Sequence, residues 1–489
     1  AFPGSILAPT LLNVSTCADG VTQGVGGLVA SDVDIFGPYV INPAAIGPPR
    51  PYHFTLELVG LHAAACSSPT GAAAWSPAVM ALMPPSSLLP SGGGTLSAAF
   101  DTSVCFSSGS ISGSSSGPAG GGAVAAAGNA GVLLSRSSIT DSATGGSGGA
   151  LLAQLGGSIV MDAVNITHAS AAGHGGVAAA VTGARLITTG AYPGRDTPGV
   201  MAHGTAGGDG GAVYASAQST ALLQAGIQVH GTMAASGGAL YASQQALLGT
   251  LAVQLYNATA TSGPGGAVRL LDLGVWQDWA SSVTDVHGAP GADGGVLHAS
   301  GTGSAAQLYR TGIAVSMAAL PGRGGCVSLS GEAGVWMVGA SLHGCRSTGH
   351  GGAVYVADTA RLVLSSGASI TQSACTGAGC SGGAVFLGKL AIASVAHSTV
   401  SHCVSSLHGG CFAVSLQPQT TVQSDVVQLE LYQSLVQHGT ATQTGGCIGV
   451  LGPQTFLKVM DTLVQHCSVT GGGSAAIGGG IGADAGHVE

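Results

Sequence analysis

Cysteine is the residue type in this sequence whose spacing points most clearly to chemistry. The chain has 11 Cys in 489 residues, and no two of them form a CxxC pair of the kind that binds zinc. Three follow a Gly-Gly pair and three end a tetrad that opens with an aliphatic residue. Those after a glycine pair are Cys326, Cys411 and Cys447. Those that end a tetrad are Cys345, Cys403 and Cys467. This regular placement predicts disulfide bonds and an oxidising compartment.

Four disulfide bonds are predicted from these positions. The pairs are Cys326–Cys345, Cys375–Cys380, Cys403–Cys411 and Cys447–Cys467. We expect Cys403 and Cys411 to face each other across one corner of a coil, and the 326 and 447 pairs to meet diagonally between coils. A disulfide needs a Cα separation of about 4.4 to 6.8 Å. Cys17, Cys66 and Cys105 remain, one of them unpaired or bridged outside the chain. The alternative is that the cysteines are buried free thiols.

Asparagine occurs mostly in N-glycosylation sequons. Three of the five Asn begin one: Asn13 in NVS, Asn165 in NIT and Asn257 in NAT. Charged residues make up only 6% of the chain, against about 25% in an ordinary soluble domain. N-linked glycans at these three positions would supply the hydration that the missing charges do not. We therefore expect a eukaryotic secreted glycoprotein at an extracellular location, on a cell surface, cell wall or ciliary surface.

Histidine recurs at one position of the tetrads. His402, His438 and His466 each take the third place, on consecutive coils. Such a column is either a ladder that binds a metal or senses pH, or a solvent-facing row without a ligand. We expect the solvent-facing row, and we predict no metal ligand and no cofactor.

A second recurrent slot is the residue directly before each Gly-Gly pair. His174 and His350 fill it within GHG, and Asp209, Asp293 and Arg323 fill it elsewhere. Their place in the repeat is sufficient to explain them, so we predict no catalytic residue here.

Acidic residues do not form a calcium or hydrolase site in the sequence. Acids do not hold the slot before the glycine pair on neighbouring coils, as a clustered calcium site would require. Asp32 and Asp34 are the only close acidic pair, and they cannot make a two-carboxylate site on neighbouring coils. We therefore expect that the protein is not an enzyme.

Tryptophan allows two interpretations. Trp276, Trp279 and Trp336 lie in the strand after the glycine pair, in GVWQDW and GVWMVG. Exposed, they would form a patch for sugar stacking or protein docking; buried, they would fill the core. Because aromatic residues make up only 4% of the chain, we expect Trp336 in the core.

The element that positions all these residues is a repeat. The motif Gly-Gly-[Ala, Val or Cys] starts at 121, 148, 175, 210, 237, 265, 294, 324, 351, 382, 409 and 445, most often 27 residues apart. The tetrad begins about nine residues before most pairs, as in ITDS, VSHC and VQHG, and a third segment such as ARLVL follows the pair. Three short alternating segments per period, with no stripe of helical spacing, favour strands.

This pattern predicts an all-β fold, a right-handed parallel β-helix with about three strands per 27-residue coil. Ala and the aliphatic residue of each motif point into a narrow core, and the glycine pair makes a sharp corner. Residues 121–489 are the regular solenoid, and residues 1–120 are irregular N-terminal coils and a cap, with Pro-rich pieces at 41–51 and 83–90.

The Gly-Gly-Ala-aliphatic motifs and aliphatic tetrads resemble the GGAI and FxxN repeats of chlamydial polymorphic outer membrane proteins and autotransporter-type β-helix adhesins. The Asn of FxxN is replaced here by Ser, Ala, Gly or Cys. The Ala, Gly and Ser content and the sequons are more similar to extracellular β-helix glycoproteins of green algae. The resemblance implies a β-helix that acts by assembly or adhesion.

Charge and hydropathy exclude two classes of partner. The net charge of −9 is spread thinly and there is no basic cluster, so we expect no nucleic acid partner. Gly, Ser, Gln and Thr interrupt every apolar window, so we expect no membrane span. The Gly-rich C-terminal coil has no charged cap, so either a partner covers it or the chain continues.

Two functions follow as expectations. The first is a structural extracellular glycoprotein, a subunit of a surface filament, cell wall or ciliary layer, whose partners are copies of itself or other matrix proteins. The alternative is a β-helix carbohydrate-active enzyme, a polysaccharide lyase or hydrolase.

Overall fold

The structure of the protein is a computed structural model. This structure describes residues 102–118, 120–189, 199–224, 226–315, 322–415, 426–471 and 478–489, and five strands between residues 13 and 99. Within these residues the protein is all β without a helix, and parallel strands stack into a β-solenoid of about 13 turns with about 28 residues per turn. The predicted fold class is confirmed.

The chain divides into two compact units, Ala1–Met233 and Ala234–Glu489. The strands of the first unit are β1 (Asn13–Ser15), β2 (Phe54–Val59), β3 (His62–Ala64), β4 (Ser67–Ser68), β5 (Leu96–Ala99), β6 (Thr102–Ser107), β7 (Ser110–Ser112), β8 (Ser115–Ser116), β9 (Val124–Ala127), β10 (Gly131–Ser135), β11 (Ser138–Thr140), β12 (Ala143–Thr144), β13 (Leu151–Gln154), β14 (Ser158–Asp162), β15 (Asn165–Thr167), β16 (Ser170–Ala171), β17 (Ala178–Val181), β18 (Arg185–Thr189), β19 (Val200–Ala202), β20 (Thr205–Ala206), β21 (Val213–Ser216), β22 (Thr220–Leu223) and β23 (Gln228–His230). The two-residue strand β24 (Met233–Ala234) includes the boundary.

The second unit repeats the same order of elements. Its strands are β25 (Leu240–Ser243), β26 (Leu247–Leu251), β27 (Gln254–Tyr256), β28 (Thr259–Ala260), β29 (Val268–Leu271), β30 (Val275–Trp279), β31 (Ser282–Thr284), β32 (Leu297–Ser300), β33 (Ala305–Tyr309), β34 (Gly312–Ala314), β35 (Val327–Leu329), β36 (Gly334–Val338), β37 (Ser341–His343), β38 (Arg346–Ser347), β39 (Val354–Val356), β40 (Arg361–Ser365), β41 (Ser369–Thr371), β42 (Ala374–Cys375), β43 (Val385–Leu387), β44 (Ile392–Ala396), β45 (Thr399–Val404), β46 (Phe412–Ser415), β47 (Val427–Tyr432), β48 (Leu435–Ala441), β49 (Ile448–Leu451), β50 (Thr455–Met460), β51 (Leu463–Gln465), β52 (Ser468–Val469), β53 (Ile481–Asp484) and β54 (His487–Val488).

Each complete turn has three principal strands and a two-residue strand. In most turns the first strand follows the glycine pair, the second is the longest, the third carries the tetrad and the shortest precedes the next pair; in β45 and β48 the third and the shortest strand are continuous. We call the stacks of the first three the glycine sheet, the long-strand sheet and the tetrad sheet. In the second unit the long-strand sheet runs β26, β30, β33, β36, β40, β44, β47, β50 and β54.

The register explains the 27-residue interval. Leu151 on β13 pairs with Ala178 on β17, and Ile159 on β14 pairs with Leu186 on β18, so equivalent residues form columns. Inward-facing Ala, Val, Leu and Ile of these columns are almost fully buried. The stacking keeps each type of side chain at one place on the turn, which is how a short repeat specifies a long core.

The glycine pair makes the corner for two separate reasons. Gly351 has a φ of 70°, in the left-handed region that glycine enters without strain. A Cβ on Gly352 would lie 2.0 Å from the carbonyl oxygen of Gly383 in the next turn. Only glycine therefore lets the backbones of neighbouring turns approach this closely.

The N-terminal part was predicted to be irregular coils with a cap. Its Pro-rich pieces at 41–51 and 83–90 lie outside the described residues, as does the acidic pair Asp32 and Asp34. The strands described there belong to the same parallel sheets as the later ones, since Leu56 on β2 pairs with Val104 on β6.

Candidate functional site

Three disulfide bonds are described in the second unit. They join Cys326 to Cys345, Cys375 to Cys380 and Cys447 to Cys467, with Cα–Cα distances of 5.5, 5.9 and 5.2 Å. The first and third connect the residue after a glycine pair to the tetrad end 19 or 20 residues later. Each of these two bridges closes a loop of most of one turn. Disulfides are compatible with an extracellular protein.

The structure does not join Cys403 to Cys411, in contrast to the prediction. Both are buried free thiols in contact, and burial raises the pKa of Cys411. Where the Cys after a glycine pair is bonded, its partner is the Cys that ends the following tetrad. The tetrad that follows Cys411 ends in Gly439. The Cys411 Sγ lies 3.8 Å from the carbonyl oxygen of Gln437, and the bonded Cys447 makes the corresponding contact at 3.9 Å. Cys411 therefore has no tetrad-end thiol at the position where Cys447 is bonded to Cys467.

The other predicted modification sites lie on the surface where they are described. Asn165 begins β15 and is exposed, and Asn257 follows β27 and is exposed. Asn13 lies in β1, whose side chains are outside the described set, and Cys17 and Cys66 are also outside it. Cys105 is half-buried on β6. Both described sequons are accessible to a glycosylating enzyme.

The predicted histidine column is present in the tetrad sheet of the second unit. The His402 and His438 rings stack with their centroids 4.6 Å apart, and the His438 and His466 rings stack at 4.8 Å. Desolvation lowers the pKa of His438, and the charges of the neighbouring His402 and His466 lower it further. In the part of the chain that the structure describes, no group of three His, Cys, Asp or Glu side chains is arranged to hold a metal ion.

Backbone conformation accounts for the residue types in this column. The third tetrad position has a left-handed φ, for example 55° at His402, 53° at Asp141 and 51° at Asn257. His, Asn and Asp are the non-glycine residues most enriched in that region. The column therefore reflects a backbone requirement that recurs in most of the described turns.

The slot before the glycine pair covers the outer side of the glycine sheet. In the first unit the His174 ring stacks on Tyr214 with centroids 4.5 Å apart, and its Nδ1 accepts the backbone N–H of Asp209 at 2.9 Å. In the second unit His350 repeats this arrangement, stacking on Phe386 at 4.4 Å and accepting the N–H of Ser381 at 3.1 Å. Both GHG histidines thus cover an aromatic ring and bind the next turn.

Acidic and basic groups do converge at this slot in the second unit, although the repeat pattern predicted only structural roles there. Arg323 binds Asp293 through two nitrogens, the closest contact being 2.6 Å, and donates to the Tyr355 hydroxyl at 3.1 Å. The bond to Asp293 raises the pKa of Arg323, and burial raises the pKa of Tyr355.

A buried histidine lies beside this cluster. His298 is 9% exposed, and its Nδ1 has no hydrogen-bond partner among the described residues. Burial, with the positive charges of Arg269 and Arg323, lowers the pKa of His298 to about 4, against the opposing effect of Asp293. The imidazole is therefore neutral at physiological pH.

The outer face of the long-strand sheet carries exposed aromatic residues in the second unit. Trp279 is 54% exposed and stacks on Tyr309 of the next strand, with ring centroids 4.4 Å apart. Gln277 donates its side-chain amide to Gln307 at 3.3 Å in the adjacent column. Trp336 is the next residue in the column of the two glutamines. We call these five residues the aromatic–amide patch.

Trp336 was predicted to lie in the core, and that prediction is wrong. Its side chain is 37% exposed, and its ring atoms lie over Gly334 on the same strand. Val335 and Met337 on either side of it are the residues that point inward. Trp276, by contrast, is 1% exposed and donates its indole N–H to Thr250 at 2.8 Å.

The buried groups of β30 hold the strand that carries Trp279. Asp278 is fully buried and accepts hydrogen bonds from Thr250 and Thr311, in the turns on either side. Its carboxylate also accepts the backbone N–H of Ser281 at 3.4 Å. The network ties three consecutive turns together beneath the patch.

No helix long and apolar enough to cross a membrane occurs in the described ranges. In comparisons with known proteins, no protein-family model and no curated protein matches this sequence.

Proposed function

We propose that this chain is a structural extracellular glycoprotein that acts by assembly or adhesion, as a subunit of a surface filament, cell wall or ciliary layer. The observation that carries the proposal is the outer face of the long-strand sheet in the second unit. Large apolar side chains are exposed on it in two groups. Leu251, Trp279 and Trp336 form the first, and Ile392, Tyr432, Phe456 and Met460 lie beyond β40 and form the second, which we assign to contact between copies of the chain. Exposed apolar side chains gathered on one face are typical of an interaction surface.

The scaffold is suited to an external, load-resisting role. Within each unit the described turns are bonded to one another through their backbones, and disulfides add covalent links in the second unit. The exposed sequons at Asn165 and Asn257 favour a glycosylated, secreted chain. Few charges on the surface also favour contact between copies, because little repulsion keeps them apart.

The kind of β-helix protein is also part of the proposal. The glycine-pair repeats support kinship with polymorphic outer membrane and autotransporter-type β-helix proteins. The composition and sequons make the chain more similar to the extracellular β-helix glycoproteins of green algae.

Sedimentation velocity of the native, unreduced chain tests the assembly. We expect species larger than the monomer whose fraction rises with concentration, and we expect the triple variant Ile392→Ser, Tyr432→Ser, Phe456→Ser to shift the protein towards monomer. Leu463→Ser is the matched control, because Leu463 is 54% exposed on the tetrad sheet. A wild-type monomer at every concentration that also fails to attach to the cells that make it would overturn the proposal.

The second candidate is a carbohydrate-active β-helix enzyme, a lyase or hydrolase. The convergence of Asp293, Arg323 and Tyr355 beside the neutral His298 favours it, since a lyase needs a base and a group that neutralises a carboxylate. Against hydrolysis, a glycosidase needs two carboxylates, and Asp293 is bound to Arg323. Turnover of pectin-like or algal polysaccharides that Asp293→Asn abolishes would establish this function instead.

A further inference from the structure

In the aromatic–amide patch, the indole of Trp336 packs against a glycine of its own strand. The Trp336 atoms nearest to a Cβ on Gly334 are Cη2, Cζ3 and Cζ2, so the six-membered ring of the indole covers this glycine while 37% of the residue stays exposed. Exposed indole surface stacks on the C–H groups of a sugar ring. A side chain at position 334 would displace the indole.

The two glutamines complete a polar row beside the indole. Gln277 donates to Gln307 in an exposed contact, and this bond does not use the Gln277 Oε1 acceptor or the Gln307 N–H donors. Amides of this kind bind hydroxyl groups, which both donate and accept. The patch thus alternates stacking faces and hydroxyl-binding groups.

Charge decides which sugar the patch fits. The outward positions of β30, β33 and β36 are Val275, Gln277, Trp279, Ala305, Gln307, Tyr309, Gly334, Trp336 and Val338. None of them carries a charge, and the nearest cation in the same outward rows is Arg361 of β40, which pairs with Gly334 at the edge of the patch. The side chains of the patch itself bind through stacking and hydroxyl contacts and not through charge. A neutral glycan is the matching ligand.

Size argues against a protein as the occupant. Three strands about 4.8 Å apart and five residues long cover roughly 200 to 250 Å², whereas a stable protein interface needs about 800 Å² on each partner. On the next strand, β40, the outward residues Arg361, Val363 and Ser365 lie between the patch and Ile392 with the further exposed apolar residues. The patch is large enough for a short run of sugar rings.

The scaffold holds the patch rigid before any ligand arrives. The disulfide between Cys326 and Cys345 encloses β36, the strand that carries Trp336. The buried Asp278 network anchors β30, which carries Trp279. Preorganisation of this kind lowers the entropic cost of binding.

We propose that the aromatic–amide patch binds a neutral polysaccharide, with Trp336 and Trp279 as stacking residues and Gln277 and Gln307 as hydroxyl-binding residues. The inference rests on the proposed adhesive function and names its partner.

Affinity electrophoresis tests it. The native, unreduced chain is run in gels containing hydroxyethylcellulose, xylan or glucomannan, with polygalacturonate as the charged comparison. We expect retardation by at least one neutral polysaccharide and none by polygalacturonate. Trp336→Ala and Trp279→Ala should each weaken it by about tenfold, the size of one aromatic contact, and Trp336→Phe should restore part of the loss. Leu463→Ala, at the same 54% exposure as Trp279, should leave retardation unchanged.

Several results would overturn the binding site. These are no retardation by any of the neutral polysaccharides, retardation by polygalacturonate alone, or retardation that both tryptophan variants retain. If the tryptophan variants change sedimentation but not gel mobility, the occupant is a second copy of the chain and the inference is wrong. Circular dichroism of each variant checks its fold. Assembly is measured separately with the Ile392, Tyr432 and Phe456 variant, so failure of the binding site and failure of the structural function are distinguished.

Discussion

Trp336 lies over Gly334 on the outer face of β36, so closely that a Cβ on Gly334 would fall 2.6 Å from the indole Cη2. Gly334 has no left-handed φ, and the atoms in the way belong to the end of one side chain. The glycine is therefore needed for the position of the indole and not for the path of the backbone.

Gly334→Ala should displace the indole while leaving the solenoid intact. We expect a red-shifted tryptophan emission, about tenfold weaker retardation by neutral polysaccharide, and a nearly unchanged thermal midpoint. Gly312→Ala is the control, because the nearest atom to a Cβ there is 3.9 Å away. An unshifted emission spectrum with undiminished retardation would contradict the role given to Gly334.

Gly352→Ala should be strongly destabilising. The added methyl would meet the Gly383 carbonyl oxygen at 2.0 Å, a backbone atom that cannot move without opening the turn. We expect a loss of about 3 kcal/mol in the free energy of unfolding, the upper range for overpacking. Gly480→Ala, where nothing lies within 4 Å of a Cβ, should change it little. Urea unfolding of the two variants measures both values, and equal losses would refute the corner argument.

Stability should depend on pH through His298. Its pKa is about 4 in the folded chain and 6.5 when exposed, so it is neutral in both states above pH 6.5. As the pH falls towards 4, the unfolded chain takes up a proton that the folded chain does not, and stability is lost. At about 1.4 kcal/mol per pH unit, the loss is about 3 kcal/mol.

His298→Phe should remove this part of the pH dependence, because Phe386 already occupies the same column. Urea unfolding at pH 7 and pH 4.5 compares the variant with wild type. If both lose the same stability between the two pH values, His298 does not titrate as described.

The two buried thiols should be unreactive until the chain unfolds. Cys403 and Cys411 are both 0% exposed, and burial raises the pKa of Cys411, which disfavours the reactive thiolate. Iodoacetamide should therefore label neither in the native state and both after denaturation without reduction. Peptide mapping that finds a 403–411 bridge, or native labelling of either thiol, would contradict the structure.

The repeat was readable from the sequence because one backbone requirement recurs in every turn. The corner at Gly351 and Gly352 permits no other residue, so it recurs as a visible motif. The same interval predicted the bonds of Cys326 and Cys447 to the following tetrad ends. The bond between Cys403 and Cys411 was predicted instead from their facing across one corner, and both are free thiols in the structure; the tetrad end that follows Cys411 is Gly439.

The sequence did not predict in the same way which tryptophan side chains are exposed. Trp276 lies eleven residues after the start of its glycine pair and Trp336 lies twelve after its own. One residue of difference moves a strand side chain to the opposite face. Since Val335, Trp336 and Met337 are all apolar, alternation could not say which of them points inward. The contact between Asp293 and Arg323 is not visible as a motif, because the two residues are 30 positions apart and occupy the slot in two successive turns with opposite charge.

Immunogold electron microscopy of the cells that make this protein tests the central claim most directly. An external structural role predicts label on a fibre, wall layer or ciliary coat outside the plasma membrane, retained after a high-salt wash. Label confined to the cell interior, or protein recovered only as a soluble monomer in the medium with no labelled layer, would contradict the account.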